Sequence, residues 1–519
     1  MGRMTVSRRT LLQSASGLAA LAALGIKPEQ VLADVNGVLK VRMEADIQVL
    51  DPGYMVGGAE TTACYACLPR LAEPVRKEDG TWGWVPSEVV ESVKQDDPTH
   101  ISFKLKEGLM WSGGAGELTA DDVKYSIERI LKSDWAGRFP ATDHVEVKDK
   151  YSGVIVQKTP FAAAFLMGIS AETGSIVPKA VVEKLKDQKF TTELPAYLGP
   201  YLIAEWTPKQ KLVFKKNPDW KGTPGVYDEI QFINIEDAKA AELAFEAGEV
   251  DITGVLPDTA ARYKGALPAG SKLETLPGPF FTWIGLNTEN PKLKDIRVRK
   301  AIQRAIDVDS VLAAAYGGTA EKAHGITPVG VNGHRTESKY SYKPDEAKAL
   351  LAEAGVSNLE LELKTLNESY RLTAAQVVQA NLADVGIKLT ITPTDSGPFW
   401  NLGLESKGED WKTIEMWWMR YRTSPDPSDG LQWFIKSQVG VWNWERWSDP
   451  EFEDLWAKGL AEQDEAKRKD IYLRMQEIME DTGAYVWITH DPVNVIYKEG
   501  LKPDYDPGSE FLIERFKKG

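Results

Sequence analysis

The chain is poor in cysteine and histidine, two of the residue types that most often bind transition metals. It has two cysteines and five histidines among 519 residues. Two cysteines supply only half of a tetrahedral zinc shell, and no two histidines have the i, i+4 spacing of a helical zinc site. The sequence therefore predicts no metal site and no cofactor.

The two cysteines lie close together, in Cys64-Tyr65-Ala66-Cys67. In an oxidising compartment this spacing can form a tight disulfide, and in a thioredoxin-like βαβ unit it would be a redox pair. No strand of buried type precedes the motif, and the flanking residues 61–63 and 68–70 are typical of a helix start. We interpret the pair as structural, as a disulfide or as two buried thiols. A periplasmic CxxC redox enzyme is the rival hypothesis.

Sequence signatures of other enzymes are also lacking. There is no Gly-x-Ser-x-Gly elbow, and the Gly-rich run at residues 113–116 is not followed by the Gly-Lys-Ser/Thr that binds phosphate and magnesium. Acidic pairs such as Asp121-Asp122 stand at helix starts, where the helix dipole stabilises negative charge. An exported hydrolase would need a nucleophile beside a base, and no such pair is visible. We predict that the chain is not an enzyme.

Excess positive charge and long apolar runs are missing from the chain beyond its first 33 residues. The net charge is −14, and residues 1–33 carry four basic residues against one acidic residue, so the remainder carries −17. An acidic surface of this size repels phosphate backbones and anionic lipid headgroups. Binding to nucleic acid or to a membrane surface is therefore disfavoured.

The first 33 residues have the pattern of a secretory signal peptide. Arg3, Arg8 and Arg9 precede a small, apolar, uncharged stretch at residues 11–26, and Val31-Leu32-Ala33 resembles a cleavage site. The paired arginines in Ser7-Arg8-Arg9-Thr10-Leu11-Leu12 are those of a twin-arginine leader. The apolar stretch is shorter than the roughly 20 residues that span a bilayer, which disfavours a retained anchor. We predict export to the periplasm.

What the chain does contain is an α/β pattern and many tryptophans. Alternating or buried strands are predicted at residues 38–43, 101–105, 230–235, 359–363, 388–391 and 484–488. Helices are predicted at residues 237–247, 297–316, 373–385 and 466–480. The length requires two or three lobes. The 17 tryptophans are costly to leave exposed, so some should line a ligand cavity.

One segment combines aromatic and basic residues at a predicted strand end. It includes Trp417, Trp418, Met419, Arg420, Tyr421 and Arg422 before a Pro-rich loop. Trp and Tyr can stack on a flat or sugar-like group, and Arg forms paired bonds to carboxylate, phosphate or sulfate. The segment is therefore either a ligand site or an aromatic core strand with two solvated arginines. A second cluster, Trp442, Trp444 and Trp447, precedes an ordinary helix entry at Asp449-Pro450.

Several further motifs follow one another along the chain. They are Leu50-Asp51-Pro52, Phe103-Lys104-Leu105-Lys106-Glu107-Gly108, Trp111-Ser112-Gly113-Gly114, Leu118-Thr119-Ala120-Asp121-Asp122-Val123, Leu198-Gly199-Pro200-Tyr201, Asn217-Pro218-Asp219-Trp220, Gly248-Glu249-Val250-Asp251, Leu286-Asn287-Thr288, Asp295-Ile296-Arg297-Val298-Arg299-Lys300-Ala301-Ile302 and Ala305-Ile306-Asp307. In this order they resemble the large family of extracytoplasmic solute-binding proteins that includes the oligopeptide-, dipeptide- and nickel-binding proteins of ABC importers.

The resemblance implies an α/β protein with the periplasmic-binding-protein type II fold, in a large three-lobed form. Its ligand would lie in a cleft between lobes I and III that closes on binding. The chain would act as a monomer that delivers its ligand to the permease subunits of an ABC importer in the inner membrane. The implied division is a signal peptide at 1–33, lobe I at 34–53, 175–275 and 494–519, lobe II at 54–174, and lobe III at 276–493.

The resemblance also locates a ligand site and raises a question about the ligand. Peptide-binding members have an Ala-Asp-Tyr-like triplet whose Asp pairs with the ligand's α-ammonium, and the matching triplet here is Met419-Arg420-Tyr421. An arginine there would repel an ammonium. The ligand is therefore either peptide-like or a non-peptide with an anionic or sugar-like group. The predicted ligand contacts are Arg420, Tyr421, Trp418, Trp417, Met419, Arg422 and Tyr54.

Overall fold

The computed structural model describes residues 37–519, so the predicted signal peptide at 1–33 lies outside the described residues. The strands are β1 Val38–Met43, β2 Ala72–Arg76, β3 Trp82–Pro86, β4 Val90–Asp97, β5 His100–Leu105, β6 Thr142–Val147, β7 Ser152–Gln157, β8 Tyr201–Thr207, β9 Lys211–Lys216, β10 Glu229–Asn234, β11 Ile252–Val255, β12 Ser271–Leu276, β13 Phe280–Leu286, β14 Leu359–Leu366, β15 Ile387–Thr394, β16 Met416–Arg422, β17 Tyr485–Thr489, β18 Val493–Lys498, β19 Leu501–Lys502 and β20 Lys517–Lys518.

The α-helices between these strands vary from one turn to more than four. They are α1 Gly58–Cys67, α2 Ala120–Ile130, α3 Lys179–Val182, α4 Ala238–Glu246, α5 Pro257–Gly265, α6 Ile296–Ala305, α7 Val308–Tyr316, α8 Pro344–Glu353, α9 Ser369–Asp384, α10 Ser396–Phe399, α11 Pro427–Leu431, α12 Pro450–Ala461 and α13 Glu465–Asp481. Among the described residues, no helix has both the length and the apolar character needed to cross a membrane.

The largest sheet joins three distant parts of the sequence. Its strand order is β12-β18-β11-β1-β10-β9-β8. The first strand, β1, runs parallel to β10 over six residue pairs, and β18 near the C-terminus lies antiparallel between β11 and β12. The division into three lobes stays a prediction, since this topology describes sheets and not domain boundaries.

The second large sheet has two differently packed faces. Its order is β15-β14-β16-β13-β17, with β14 parallel to both β15 and β16. Side chains alternate along a strand, so Met416 and Trp418 pack on one face against aliphatic residues of α6, α7 and α9. Trp417, Met419 and Tyr421 pack on the other face, in a core rich in tryptophan.

The chain also forms a four-stranded antiparallel sheet, β4-β5-β7-β6, and the β2–β3 hairpin. In the hairpin Trp84 stacks on Phe165, with ring centroids 3.6 Å apart. Backbone hydrogen bonds that join this part of the chain to its C-terminal half include one from Trp82 N to Gly330 O at 3.2 Å and one from Ala162 N to Leu460 O at 3.2 Å.

Local sequence signals fix several helix ends, and one prediction was wrong. The predicted capping box of Thr119 and Asp122 is present at the start of α2. The single helix predicted over residues 297–316 is two helices, because Ile306 is extended (φ −95°, ψ 117°) and Asp307 caps α7 by accepting a hydrogen bond from Ser310 N. Asp favours such N-cap positions over helix interiors, and this preference overrides the apolar periodicity.

Candidate functional site

A cavity of about 210 Å³ lies where five segments of the chain meet. We call it the cleft cavity. It is lined mainly by the segment before and within α1, by residues 135–138 and 166–172, by residues 422–425 at the end of β16, and by residues 506–510 near the C-terminus. Because no single segment supplies the site, its shape depends on how the sheets are held together.

Residues 505–511 form a tight turn that supplies the acidic side of the cleft cavity. Tyr505 and Phe511 form an antiparallel bridge, and Asp506 N donates to Glu510 O at 2.9 Å. The carboxylate oxygen Oδ1 of Asp506 accepts from Glu510 N at 2.8 Å. This turn brings the carboxyl groups of Asp506 and Glu510 into one small volume.

Burial and mutual repulsion keep these carboxyl groups from ionising readily. Burial, together with the nearby carboxylates of Glu510 and Glu172, raises the pKa of Asp506 to about 8 against the lowering effect of Arg422. Burial also raises the pKa of Glu510 to about 7, against the lowering effect of Arg422. A cation entering the cavity would favour the ionised forms of both groups.

Two arginines line the cleft cavity. Arg138 forms an ion pair with Asp429 at 3.8 Å. The other is Arg422. It is the last residue of β16, and its side chain is exposed. Among the described residues its guanidinium makes one hydrogen bond, from Nη2 to Gly508 O at 3.3 Å, and no ion pair within 4 Å. A guanidinium has five N–H donors, so most of those on Arg422 remain available to a ligand.

Two glycines allow these charged groups to approach the backbone. A β-carbon at residue 58 would collide with the Glu510 carboxylate, and one at residue 508 would collide with the Arg422 guanidinium. Gly58 is the first residue of α1, whose N-cap Gly57 provides no side-chain cap. Gly57 and Gly58 line the cavity, so the N-terminus of α1, where negative charge is favoured, lies at its wall.

The structure places three of the predicted ligand contacts in the protein core. Trp417, Trp418 and Met419 are fully buried, Trp418 on the helix-covered face and the other two on the aromatic face. Strand alternation fills both faces of β16 with protein, so these side chains have no surface to offer a ligand. For these residues the burial favours the core-strand interpretation, and their role as ligand contacts stays a prediction.

Arg420 is held by a partner within the protein. Its Nε lies 2.5 Å from Asp491 Oδ2, and its Cζ lies 3.4 Å from the centroid of the Phe280 ring. The Asp491 carboxylate also accepts hydrogen bonds from Tyr316 and Thr282. Arg420 is not among the residues that line the cleft cavity. Arg422, two residues or about 6.6 Å further along the strand, occupies that position instead.

Tyr54 also lies away from the cleft cavity. Its ring is covered by Lys189, whose Nζ is 3.7 Å from the ring centroid. The neighbouring Asp51 is fully buried and forms an ion pair with Arg129. This turn therefore joins α2 to the segment before α1, and Tyr54 is not brought together with Arg420 or Arg422.

A second pocket adjoins the site at Arg422. It has a volume of about 240 Å³ and is lined by Trp400, Tyr421, Trp433, Trp442 and Arg422. We call the four aromatic residues the aromatic box. Tyr421, one of the predicted contacts, is mostly buried and donates its hydroxyl to Trp442 O at 3.1 Å. Sequence reasoning singled out Trp442 in a cluster but missed Trp400 and Trp433, for which only the high tryptophan count was a signal.

Cys64 and Cys67 are free thiols in the structure, both fully buried in α1. Burial raises the pKa of both thiols well above the ordinary value. Because the thiolate is the reactive form, this environment opposes redox catalysis and supports the structural interpretation.

The thiols should therefore be inaccessible in the native protein. We expect no reaction with an aromatic disulfide reagent under native conditions and two reactive thiols per chain in denaturant without reductant. Zero thiols in denaturant would instead indicate the predicted disulfide. Rapid native reaction, with loss of any thiol-dependent activity in Cys64→Ser, would support the redox hypothesis.

Comparison with known proteins identifies the family of this chain. Residues 83–442 match the family described as bacterial extracellular solute-binding proteins, family 5 Middle. The Dipeptide-binding protein of Escherichia coli is 23% identical over 463 residues, which are 83% of this chain and 86% of that protein. The Probable di/tripeptide-binding protein 5 of Pseudomonas aeruginosa is 27% identical over 78% of this chain and 81% of that protein.

Solved structures show the same fold. The ABC transporter substrate-binding protein CtaP of Listeria monocytogenes superposes with a TM-score of 0.80 at 23% identity, over 93% of this chain and 99% of that chain. The α/β class and the type II periplasmic-binding-protein fold predicted from the sequence are confirmed. The protein is thus a solute-binding protein. It belongs to the bacterial extracellular solute-binding proteins, family 5.

Proposed function

We propose that this protein is the periplasmic substrate-binding component of an ABC importer and that it binds a peptide-like zwitterion in the cleft cavity. The two similar proteins of Escherichia coli and Pseudomonas aeruginosa are a dipeptide-binding and a probable di/tripeptide-binding protein, which supports a peptide-like ligand. The signal-peptide pattern at residues 1–33 supports export, by the twin-arginine route. The protein acts as a monomer of three lobes, catalyses no reaction and delivers its ligand to a membrane permease.

The observation that carries this proposal is the opposed charge within one small cavity. Asp506, Glu510 and Glu172 line it together with Arg422 and the N-terminus of α1. A free α-ammonium would pair with the carboxylates, and a free carboxylate would accept bonds from the guanidinium and the helix N-terminus. A zwitterion satisfies both sets of groups, whereas a simple anion leaves the buried acids without a cation.

An anionic or sugar-like non-peptide is the second candidate. What favours it is that the Arg422 guanidinium has no carboxylate partner among the described residues, although Asp506 and Glu510 lie in the same cavity. Such a ligand would bind mainly through Arg422 and the aromatic side chains near it. The two candidates differ in whether a ligand ammonium contributes to affinity.

Capped peptides distinguish the candidates. We expect dialanine or trialanine to raise the melting temperature, since a ligand at 100 times its dissociation constant adds about 2.7 kcal/mol of stability. N-acetylation and C-amidation should each weaken binding in calorimetry. Equal binding of free and N-acetylated peptide would favour the anionic candidate. Stabilisation by sugars or sugar conjugates, with no response to any peptide, would contradict the peptide proposal.

A further inference from the structure

The four rings of the aromatic box lie close to one another. Tyr421 and Trp442 have ring centroids 6.1 Å apart and are nearly perpendicular, at 88°. Trp400 lies 6.5 Å from both of these rings. Trp433 lies 6.2 Å from Tyr421 and 6.4 Å from Trp442. A planar group in the box would meet both ring faces and ring edges, the two favourable geometries for aromatic pairs.

The box stands where an α/β sheet presents ligand-binding residues. The parallel strands β14, β15 and β16 end at the same edge of their sheet. Trp400 follows β15 by six residues, and Trp433 and Trp442 follow β16 in the loop after α11. Ligands of open α/β sheets bind outside the carboxyl ends of the strands. The box therefore lies on the functional edge of the sheet.

Arg422 connects the box to the cleft cavity. It is the one residue that lines both pockets, and it is the only charged residue in the lining of the box. A cationic occupant would face this guanidinium with no carboxylate beside it, so a quaternary ammonium is disfavoured. A neutral group, attached to a ligand whose carboxylate binds Arg422, meets no such repulsion.

The box is also large and apolar enough for a ring. Trp400, Trp433 and Trp442 are each only partly buried, although tryptophan is costly to leave in contact with water. Apolar cavities of about 150 Å³ hold benzene, and the box has about 240 Å³. Aromatic walls on several sides favour a flat aromatic group over an aliphatic chain of equal volume.

We infer that the aromatic box receives an aromatic side chain of the ligand, while the charged ends of the same ligand occupy the cleft cavity. The inference rests on the proposed peptide-like ligand and deepens it. The protein would thus select peptides that carry phenylalanine, tyrosine or tryptophan at one position over peptides of alanine alone.

Calorimetry with matched tripeptides tests this selection. The probes are trialanine, its three variants with one phenylalanine, and the same variants with cyclohexylalanine, which has similar size but no π system. We expect one phenylalanine position to bind about tenfold more tightly than trialanine and more tightly than its cyclohexyl counterpart. This advantage should disappear in Trp400→Ala and in Trp433→Leu, which keeps an apolar side chain in the box.

Trp411→Ala is the matched control, because Trp411 is a half-buried tryptophan of the same part of the chain that stacks on Arg446 and lines neither pocket. It should keep the full aromatic preference. Circular dichroism spectra and melting temperatures close to those of the wild type show that the box variants are folded. Trialanine binding without any preference for phenylalanine, or with a preference that survives in both box variants, overturns the inference alone. Failure of every peptide to bind the wild type overturns the proposed function and the inference with it.

Discussion

Peptide affinity is expected to fall about 100-fold when Arg422 is replaced by glutamine. Arg422 is the basic group that lines the cleft cavity at the end of β16, and most of its N–H donors are available to a ligand carboxylate. A charge-assisted hydrogen-bonded pair that becomes buried when the ligand binds costs about 2–5 kcal/mol to remove, and about 2.7 kcal/mol corresponds to 100-fold. Isothermal titration calorimetry with trialanine measures the change.

Arg420→Gln is the matched control, since Arg420 lies on the same strand and has the same charge. Its guanidinium is held by Asp491 and Phe280 and lies outside the cavity lining. We expect this variant to lose about 1 kcal/mol of unfolding free energy, because Asp491 loses a partner but keeps the hydrogen bonds from Tyr316 and Thr282. Its affinity should stay near that of the wild type.

The two variants should therefore separate binding from stability. A C-amidated peptide should bind the wild type and Arg422→Gln almost equally, because the amide removes the charge that Arg422 recognises. If Arg420→Gln loses affinity and Arg422→Gln does not, the original assignment from the sequence resemblance is correct and the cavity-based assignment is wrong.

The fold could be predicted from the sequence to a large extent because its signals are local. Alternation over residues 38–43 and 359–363, and apolar periodicity over residues 373–385, each depend on near neighbours and match β1, β14 and α9. The failure at Ile306 and Asp307 has the same origin, since apolar periodicity continues through a point where the Asp side chain caps a new helix. The helix prediction failed because the apolar periodicity and the N-cap preference of Asp indicate different structures at the same residues.

The candidate site could be predicted only in part because it is assembled from remote segments. The segment around Arg420 was found from its composition, but alternation buried Trp417, Trp418 and Met419 on the two faces of a covered strand. Asp506 and Glu510 had no local signal, since a short acidic stretch near a C-terminus is normally a solvated loop. Their role depends on a tight turn that brings them to Arg422, 84 residues or more earlier in the chain.

The same acidic groups predict that stability and affinity change with pH in opposite directions. In the unfolded chain Asp and Glu have pKa values near 4, whereas burial raises the pKa of Asp506 to about 8 and that of Glu510 to about 7. Between about pH 4 and about pH 8 the folded protein binds more protons than the unfolded chain, so the free energy of unfolding must fall as pH rises. We expect a ligand-free melting temperature several degrees lower at pH 8 than at pH 5.

Glu510→Gln should reduce this loss of stability, because an amide of the same shape carries no buried charge. The variant should melt at a higher temperature than the wild type at pH 8 and at a similar temperature at pH 5. The exposed Glu78→Gln serves as the control, since Glu78 does not line the cleft cavity. Equal pH dependence in the wild type and in Glu510→Gln would show that the destabilising charge lies elsewhere.

Ligand affinity should rise with pH, whereas stability falls, because a ligand ammonium pairs with ionised carboxylates. The ionised fraction of a group with a pKa of about 7 rises from about one tenth at pH 6 to about nine tenths at pH 8, so Glu510 alone should strengthen trialanine binding about tenfold over this range. Binding at pH 7 should then release protons, which calorimetry detects as a dependence of the enthalpy on the ionisation heat of the buffer. N-acetyl trialanine lacks the ammonium and should show neither effect. Proton uptake, or affinity that is constant from pH 6 to 8, would place the ligand's ammonium away from Asp506 and Glu510.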